Sequence, residues 1–172
     1  MKRSCWILCG AALLMLLFGC ASLTPDGRYV GEVNKKLVSF TDCANAFSHS
    51  MEQMADSTKI PSAAQIDEAE ARMDALAKVC DEIAAMEAPD AYADKQAALR
   101  DAMKLYAQAM AQGRELLEFY RGFDAEIRSY PTPDKGIAAM REKGGTLYAD
   151  FAGTMRQAAE AFRAAEKMMA ED

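Results

Sequence analysis

The 172-residue chain has one histidine, one tryptophan and few β-branched residues. Each shortage removes something. The lone His49 cannot supply the paired Glu-x-x-His motifs of a di-iron bundle. It falls on the outer face of its helix, which leaves no Ser-His-Asp arrangement to read. No Cys-x-x-Cys-His sequence is present for covalent haem attachment. A haem held by histidine and methionine would need His49 to turn inward. The scarcity of β-branched residues, against abundant alanine, methionine, glutamate and lysine, excludes a β-rich fold and favours helix. The net charge is −6, without a basic excess, so there is no electrostatic footprint for nucleic acid. No cofactor and no metal ligand set is expected.

What is present begins at the N-terminus. Lys2 and Arg3 precede an apolar run of 13 residues over 6–18, followed by the small residues Gly19, Ala21 and Ser22. A run of that length is short of the roughly 20 residues a membrane-spanning helix needs. Its charged, apolar and small-residue parts stand in the order of a removable export signal. Leu17-Phe18-Gly19-Cys20 resembles the lipobox of bacterial lipoproteins, with a small residue before the cysteine that receives lipid. The resemblance covers only the first 20 or so residues, and Phe18 is bulkier than the pattern usually carries. It implies cleavage after residue 19, acylation of Cys20, and a short tether over 20–24. Ala21, rather than aspartate, follows Cys20, which by the same resemblance implies passage to the outer membrane, facing the periplasm.

Removing Lys2 and Arg3 from the 20 basic residues leaves 18 against 26 acidic ones, a mature net charge of −8. Such a surface disfavours anionic lipid, so attachment to the membrane falls to the acyl chains on Cys20. About 150 residues remain, enough for one domain with a core.

Across 25–172 apolar residues recur at alternating spacings of three and four, the mark of helices packed along one seam. In the first segment the seam is Val30, Val33, Leu37, Phe40, Ala44, Phe47, Met51 and Met54. The second gives Ile66, Ala69, Met73, Leu76, Cys80 and Ile83. The third gives Leu99, Met103, Tyr106, Met110, Gly113, Leu117 and Tyr120. The fourth runs Ile137, Met140, Gly144, Leu147, Phe151, Met155, Ala158, Phe162, Ala165 and Met169. Thr24-Pro25-Asp26 and Thr132-Pro133-Asp134 read as the same helix start, and Ser62 with Gln65 reads as a capping box. With turns at Pro61, Pro89 and Pro131, the helices are expected near 25–57, 62–87, 90–129 and 133–170. Short connections make them antiparallel neighbours in an all-α, up-down-up-down four-helix bundle.

The third helix should be about 60 Å long and the second about 39 Å. Pairing them about Pro89 sets Ile66 opposite Ala111 and leaves a long hairpin of the last two helices, about 115–148, projecting away from the anchor. Folding this hairpin about Thr132 brings Gly144 and Gly145 to Phe119 and Tyr120, and Gly113 to Phe151. Glycine facing a ring there is read as close packing rather than a hinge, because mid-helix glycine costs about 1 kcal/mol. Cys43 and Cys80 are equidistant from the Pro61 turn to within two residues, which makes them a disulfide candidate worth about 3–4 kcal/mol.

Twelve methionines suit Cu(I) in principle, but most fall on or beside the seam, where methionine fills core space. Acidic pairs such as Asp81 and Glu82 read as a solvated face, so no enzyme activity is expected. Tyr120, Phe123, Ile127, Tyr130 and Tyr148 gather on the hairpin among Arg121, Arg128 and Lys135. Aromatics and arginine are enriched where proteins meet, so these are the candidate partner-binding residues. The same rings could equally close the hairpin on itself. The sequence therefore reads as a structural or interaction module of the cell envelope with a protein partner. The alternative is a bundle holding a small apolar ligand or a metal between its helices.

Overall fold

The computed structural model describes residues 24–54 and 60–170; the expected signal segment and Cys20 lie outside them. The fold is an all-α four-helix bundle, formed by α1 (Pro25–Met54), α2 (Ala63–Ala84), α3 (Ala93–Ile127) and α4 (Pro133–Ala170). A 3₁₀ turn, Asp90–Tyr92, leads into α3. Successive helices pack against one another, most extensively α3 against α4. Rings close the fourth side, where Phe40 of α1 meets Phe162 of α4 with centroids 4.6 Å apart, and Phe47 meets Phe151 at 6.1 Å.

The helix starts follow from local chemistry. Thr24 Oγ1 accepts from the Gly27 amide at 3.3 Å, with Pro25 and Asp26 in the first turn. Ser62 and Gln65 form the reciprocal box, each side chain accepting from the other's backbone amide. α4 begins at Pro133 with Asp134 in its first turn. These contacts satisfy amides that have no partner inside the helix.

The end of α2 is decided elsewhere. Gln96 Nε2 donates to the Ile83 carbonyl at 2.7 Å and Arg100 Nε donates to the Ala84 carbonyl at 3.0 Å. Side chains of α3 thus occupy carbonyls at the end of α2, and Pro89 biases the residue before it away from helix. α2 stops at Ala84 rather than near 87, and α3 starts at Ala93 rather than near 90.

All six seam residues expected in α2 are buried. In α1, Tyr29 replaces Val30 and Ser50 replaces Met51 among the buried positions. Each has a polar partner that makes burial cheap. The Tyr29 hydroxyl donates to Gln96 Oε1 at 2.8 Å, and the Ser50 hydroxyl donates to the Phe47 carbonyl at 2.7 Å. α3 buries a wider face than its seam, adding Gln96, Ala102, Ala109, Leu116 and Phe119, because it packs against both α2 and α4. Within the core three rings, Phe40, Tyr106 and Phe162, meet with centroids 4.6–6.4 Å apart.

Two glycines permit close approach. A Cβ on Gly113 would lie 2.8 Å from Met73 Cε and 3.3 Å from a Phe151 ring carbon, and one on Gly144 would lie 2.8 Å from Phe119 Cε1. The packing account of both therefore holds. Gly145 differs from expectation, since nothing lies within 4 Å of its Cβ position.

Candidate functional site

The α3–α4 hairpin carries the residues singled out as a contact surface, and its geometry divides them. Phe119, which the seam pattern omits, is the organising ring: it is buried, faces Gly144, and meets Tyr120 at 5.5 Å and Phe123 at 5.8 Å between centroids. Lys143 Nζ stands 5.8 Å over the same ring while bonding Glu126 at 2.9 Å. Tyr120, Phe123 and Ile127 are half-buried and packed against the core. Burial raises the Tyr120 hydroxyl pKa above its ordinary value. These three residues belong to the hairpin's own packing.

Tyr130 is half-buried in the turn. Tyr148 is 40% exposed and Ile137, a seam position by its spacing, is 39% exposed. Eleven residues separate the two, three helical turns, so they share one stripe of α4. Lower on α4 the rings of Phe151 and Phe162 are covered by Phe47 and Phe40 of α1. The outward apolar surface of the α4 side of the hairpin is therefore Ile137 and Tyr148.

Gly136 is a further residue that seam spacing does not reveal. It is buried, and its Cβ position lies 3.0 Å from the Ile127 carbonyl, so α3 and α4 touch backbone to backbone at the turn.

The hairpin is also tied to the body further along than equal arms about Pro89 predict. Arg121 bonds Asp67 at 2.7 Å and Glu70 at 2.6 Å on α2, and Glu118 at 2.9 Å on α3. Contact with α2 thus continues to Arg121 instead of ending near 115. α3 runs six residues past this point, about 9 Å. The sequence placed Arg121 among the candidate contact cations; its guanidinium is engaged by three carboxylates instead.

The chemistry elsewhere is sparse. His49 is exposed, with its Nε2 2.9 Å from Gln53 Nε2. Met54, Met73, Met103, Met110, Met140 and Met155 are buried in the core. Among the described residues no group of three or more histidine, cysteine or acidic side chains is placed to hold a metal ion. No described helix is long and apolar enough to cross a membrane. Cys43 is half-buried and Cys80 buried, and both are free thiols. Burial pushes the Cys80 thiol up to about 12, with smaller upward contributions from Asp81 and Cys43. The chain matches no family model, no curated protein and no solved structure.

Proposed function

We propose that the chain is a lipid-anchored lipoprotein of the bacterial cell envelope, and that its bundle serves as a structural or protein-interaction module rather than an enzyme. The observation that carries this reading is Leu17-Phe18-Gly19-Cys20 behind a 13-residue apolar run, with α1 starting five residues after the cysteine. A short tether would hold the N-terminal end of α1 near the bilayer. In an up-down-up-down bundle the α3–α4 turn lies at the opposite end, so Tyr130, Ile137 and Tyr148 would face away from the membrane, towards the periplasm and a protein partner there. Support against the ligand-carrier alternative comes from the two core glycines, whose space Met73, Phe151 and Phe119 fill.

The test has two parts. Wild-type protein and Cys20→Ser are produced in a Gram-negative host with a labelled fatty acid, and both cells are fractionated. Label and outer-membrane recovery are expected for the wild type and lost in the variant. Label retained by Cys20→Ser, or wild type without label, overturns the anchor. For the contact surface, in-cell photocrosslinking at Tyr148 should give a defined adduct that disappears when Ile137 is changed to Ser. The melting curve should stay unchanged, since Ile137 is an exposed position. An unchanged adduct pattern would remove the hairpin from consideration.

A further inference from the structure

The α1–α4 side of the bundle differs from the other three. Its helices hardly approach each other backbone to backbone, and the ring pairs Phe40–Phe162 and Phe47–Phe151 bridge them. Each residue advances a helix by about 100°, so positions can be read round each helix from those rings. On α1, Lys36 bonds Glu82 of α2 and lies about 40° from Phe40 in one sense. Ser48, Thr41, Asn34 and Asn45 lie about 80–140° round in the other sense, away from α2. On α4, Gly136 and Lys143 touch α3 and lie about 60–80° from Phe151 in one sense. Tyr148, Arg141, Ala152, Arg163 and Arg156 lie about 60–140° round in the other, away from α3. Both sets therefore border the outward α1–α4 face. Val38, 62% exposed, stands at its α1 edge.

The charge on this face is mainly positive and unspent. Elsewhere arginines are engaged: Arg72 with Glu68, Arg100 with the Ala84 carbonyl, Arg114 with Asp74, and Arg121 with three carboxylates. Arg141, Arg156 and Arg163 are exposed, and among the described residues no hydrogen bond or ion pair engages them. On α4 the carboxylates within this arc are Asp134 and Glu166, at its two ends, while Glu142 and Glu160 stand about 40° beyond it. On α1 the arc carries one, Glu52, near its upper end. Three free guanidinium groups thus share one strip of a chain whose net charge is −6.

We propose that the α1–α4 face docks an acidic amphipathic helix of a protein partner, its carboxylates pairing with Arg141, Arg156 and Arg163 and its apolar side chains covering Tyr148 and Val38. This rests on the bundle being a protein-interaction module, and it gives that partner's chemistry. Arg141 and Arg163 stand about 33 Å apart along α4, the length of a helix of about 22 residues. Guanidinium groups pair with carboxylates through two parallel hydrogen bonds. Between the separated helices, Gly145, Ala152 and Ala159 keep the trough shallow enough for a third helix to lie in it. A bilayer fits the face less well. Its three arginines fall short of the roughly four to eight basic residues of a lipid-binding cluster, and the remaining net charge repels anionic headgroups. Asn34, Thr41, Asn45 and Ser48 offer hydrogen bonds where a membrane-binding helix offers apolar bulk.

The experiment holds the full chain in phosphatidylcholine nanodiscs, with empty discs as background. Two labelled helical peptides of about 22 residues are offered, both with leucine at heptad a and d positions. One carries glutamate at the flanking positions and the other lysine. Anisotropy gives the affinity, and hydrogen exchange read by mass spectrometry locates the contact. The glutamate peptide should bind at least about tenfold more tightly than the lysine peptide, and lose about tenfold as salt is raised to about 500 mM. Protection should fall on 34–48 and 141–163. Changing both Arg156→Glu and Arg163→Glu should abolish the preference, whereas lysine at both positions should keep it within about threefold. Unchanged helical circular dichroism checks that these exposed substitutions leave the fold intact. Equal binding of the two peptides, protection elsewhere, or undiminished binding by the glutamate variant would each overturn the acidic helix. So would protection of this face by phosphatidylglycerol discs without peptide, which would assign it to lipid. The photocrosslink at Tyr148 reports a protein partner of any chemistry, so an adduct there would keep the module reading when the acidic helix fails.

Discussion

Gly144 and Gly145 are neighbours in the same helix, yet the structure gives alanine opposite consequences at the two positions. In a helix interior alanine is about 1 kcal/mol more favourable than glycine. At Gly145 nothing lies within 4 Å of the added methyl, so Gly145→Ala should realise this gain in full. At Gly144 the methyl would come 2.8 Å from Phe119 Cε1 and 3.1 Å from Cζ. Phe119 is a stiff ring, buried and packed edge-on against Tyr120 and Phe123, so it cannot move alone. Overpacking of this kind costs about 1–3 kcal/mol. Gly144→Ala should therefore range from neutral to about 2 kcal/mol destabilising after the helix gain is subtracted. For a domain of this size 1 kcal/mol moves the melting midpoint by roughly 2–4 °C. Helical circular dichroism against temperature and against urea separates the cases, with Gly145→Ala rising by roughly 2–4 °C. Adding Phe119→Leu to Gly144→Ala should recover part of any loss by vacating the ring's edge. Equal stabilisation by both alanines would refute the close approach of α3 and α4 at this level.

Other parts of the bundle make further predictions. Gln96→Leu removes the acceptor of the Tyr29 hydroxyl and leaves the Ile83 carbonyl with only the longer 3.3 Å bond from the Met86 amide, and should cost about 1–3 kcal/mol in urea unfolding. An unchanged midpoint would show that this clamp contributes nothing. Tyr106→Phe removes a buried hydroxyl that has no hydrogen-bond partner, and should leave stability unchanged or raised by up to about 1 kcal/mol. A loss beyond about 1 kcal/mol would reveal a bond to that oxygen. Burial raises the Glu166 carboxyl pKa, with Arg163 opposing it. A raised carboxyl penalises the folded state once pH climbs above the unfolded value, and the penalty vanishes below it. Glu166→Gln should therefore raise the melting midpoint at pH 7 and match the wild type near pH 3.5, and a difference of the same size at both pH values would refute this.

The four helices, their caps and their core stripe are legible because each depends on residues within a few positions of one another. Ser62 and Gln65 reveal the start of α2 from sequence alone, and its six seam residues repeat at the expected spacing. The candidate surface is less legible. Tyr120, Phe123 and Ile127 carry the same aromatic and aliphatic signal as Tyr148, but only packing distinguishes rings that fill the hairpin from one that faces solvent. Phe119 escapes the single-seam pattern because α3 has two neighbours and buries a broader arc. Arg121 resembles any exposed hairpin cation until Asp67, Glu70 and Glu118 are seen around it.

The sequence by itself determined the helical class, the order of the helices, the starts of α1, α2 and α4, the antiparallel arrangement and the residues able to form a core. All of these follow from periodicity, capping and connection length, which act locally along the chain. Only the tertiary structure decided where α2 ends, how far α3 stays in contact with it, which aromatic residues are covered and what surrounds the two thiols. Those outcomes depend on side chains reaching between helices, as Gln96 and Arg100 reach α2, Arg121 joins α2 to α3, and Phe40 meets Phe162. The axial offset and rotation of each helix set which groups meet, and neither is encoded in the spacing of residues within a single helix.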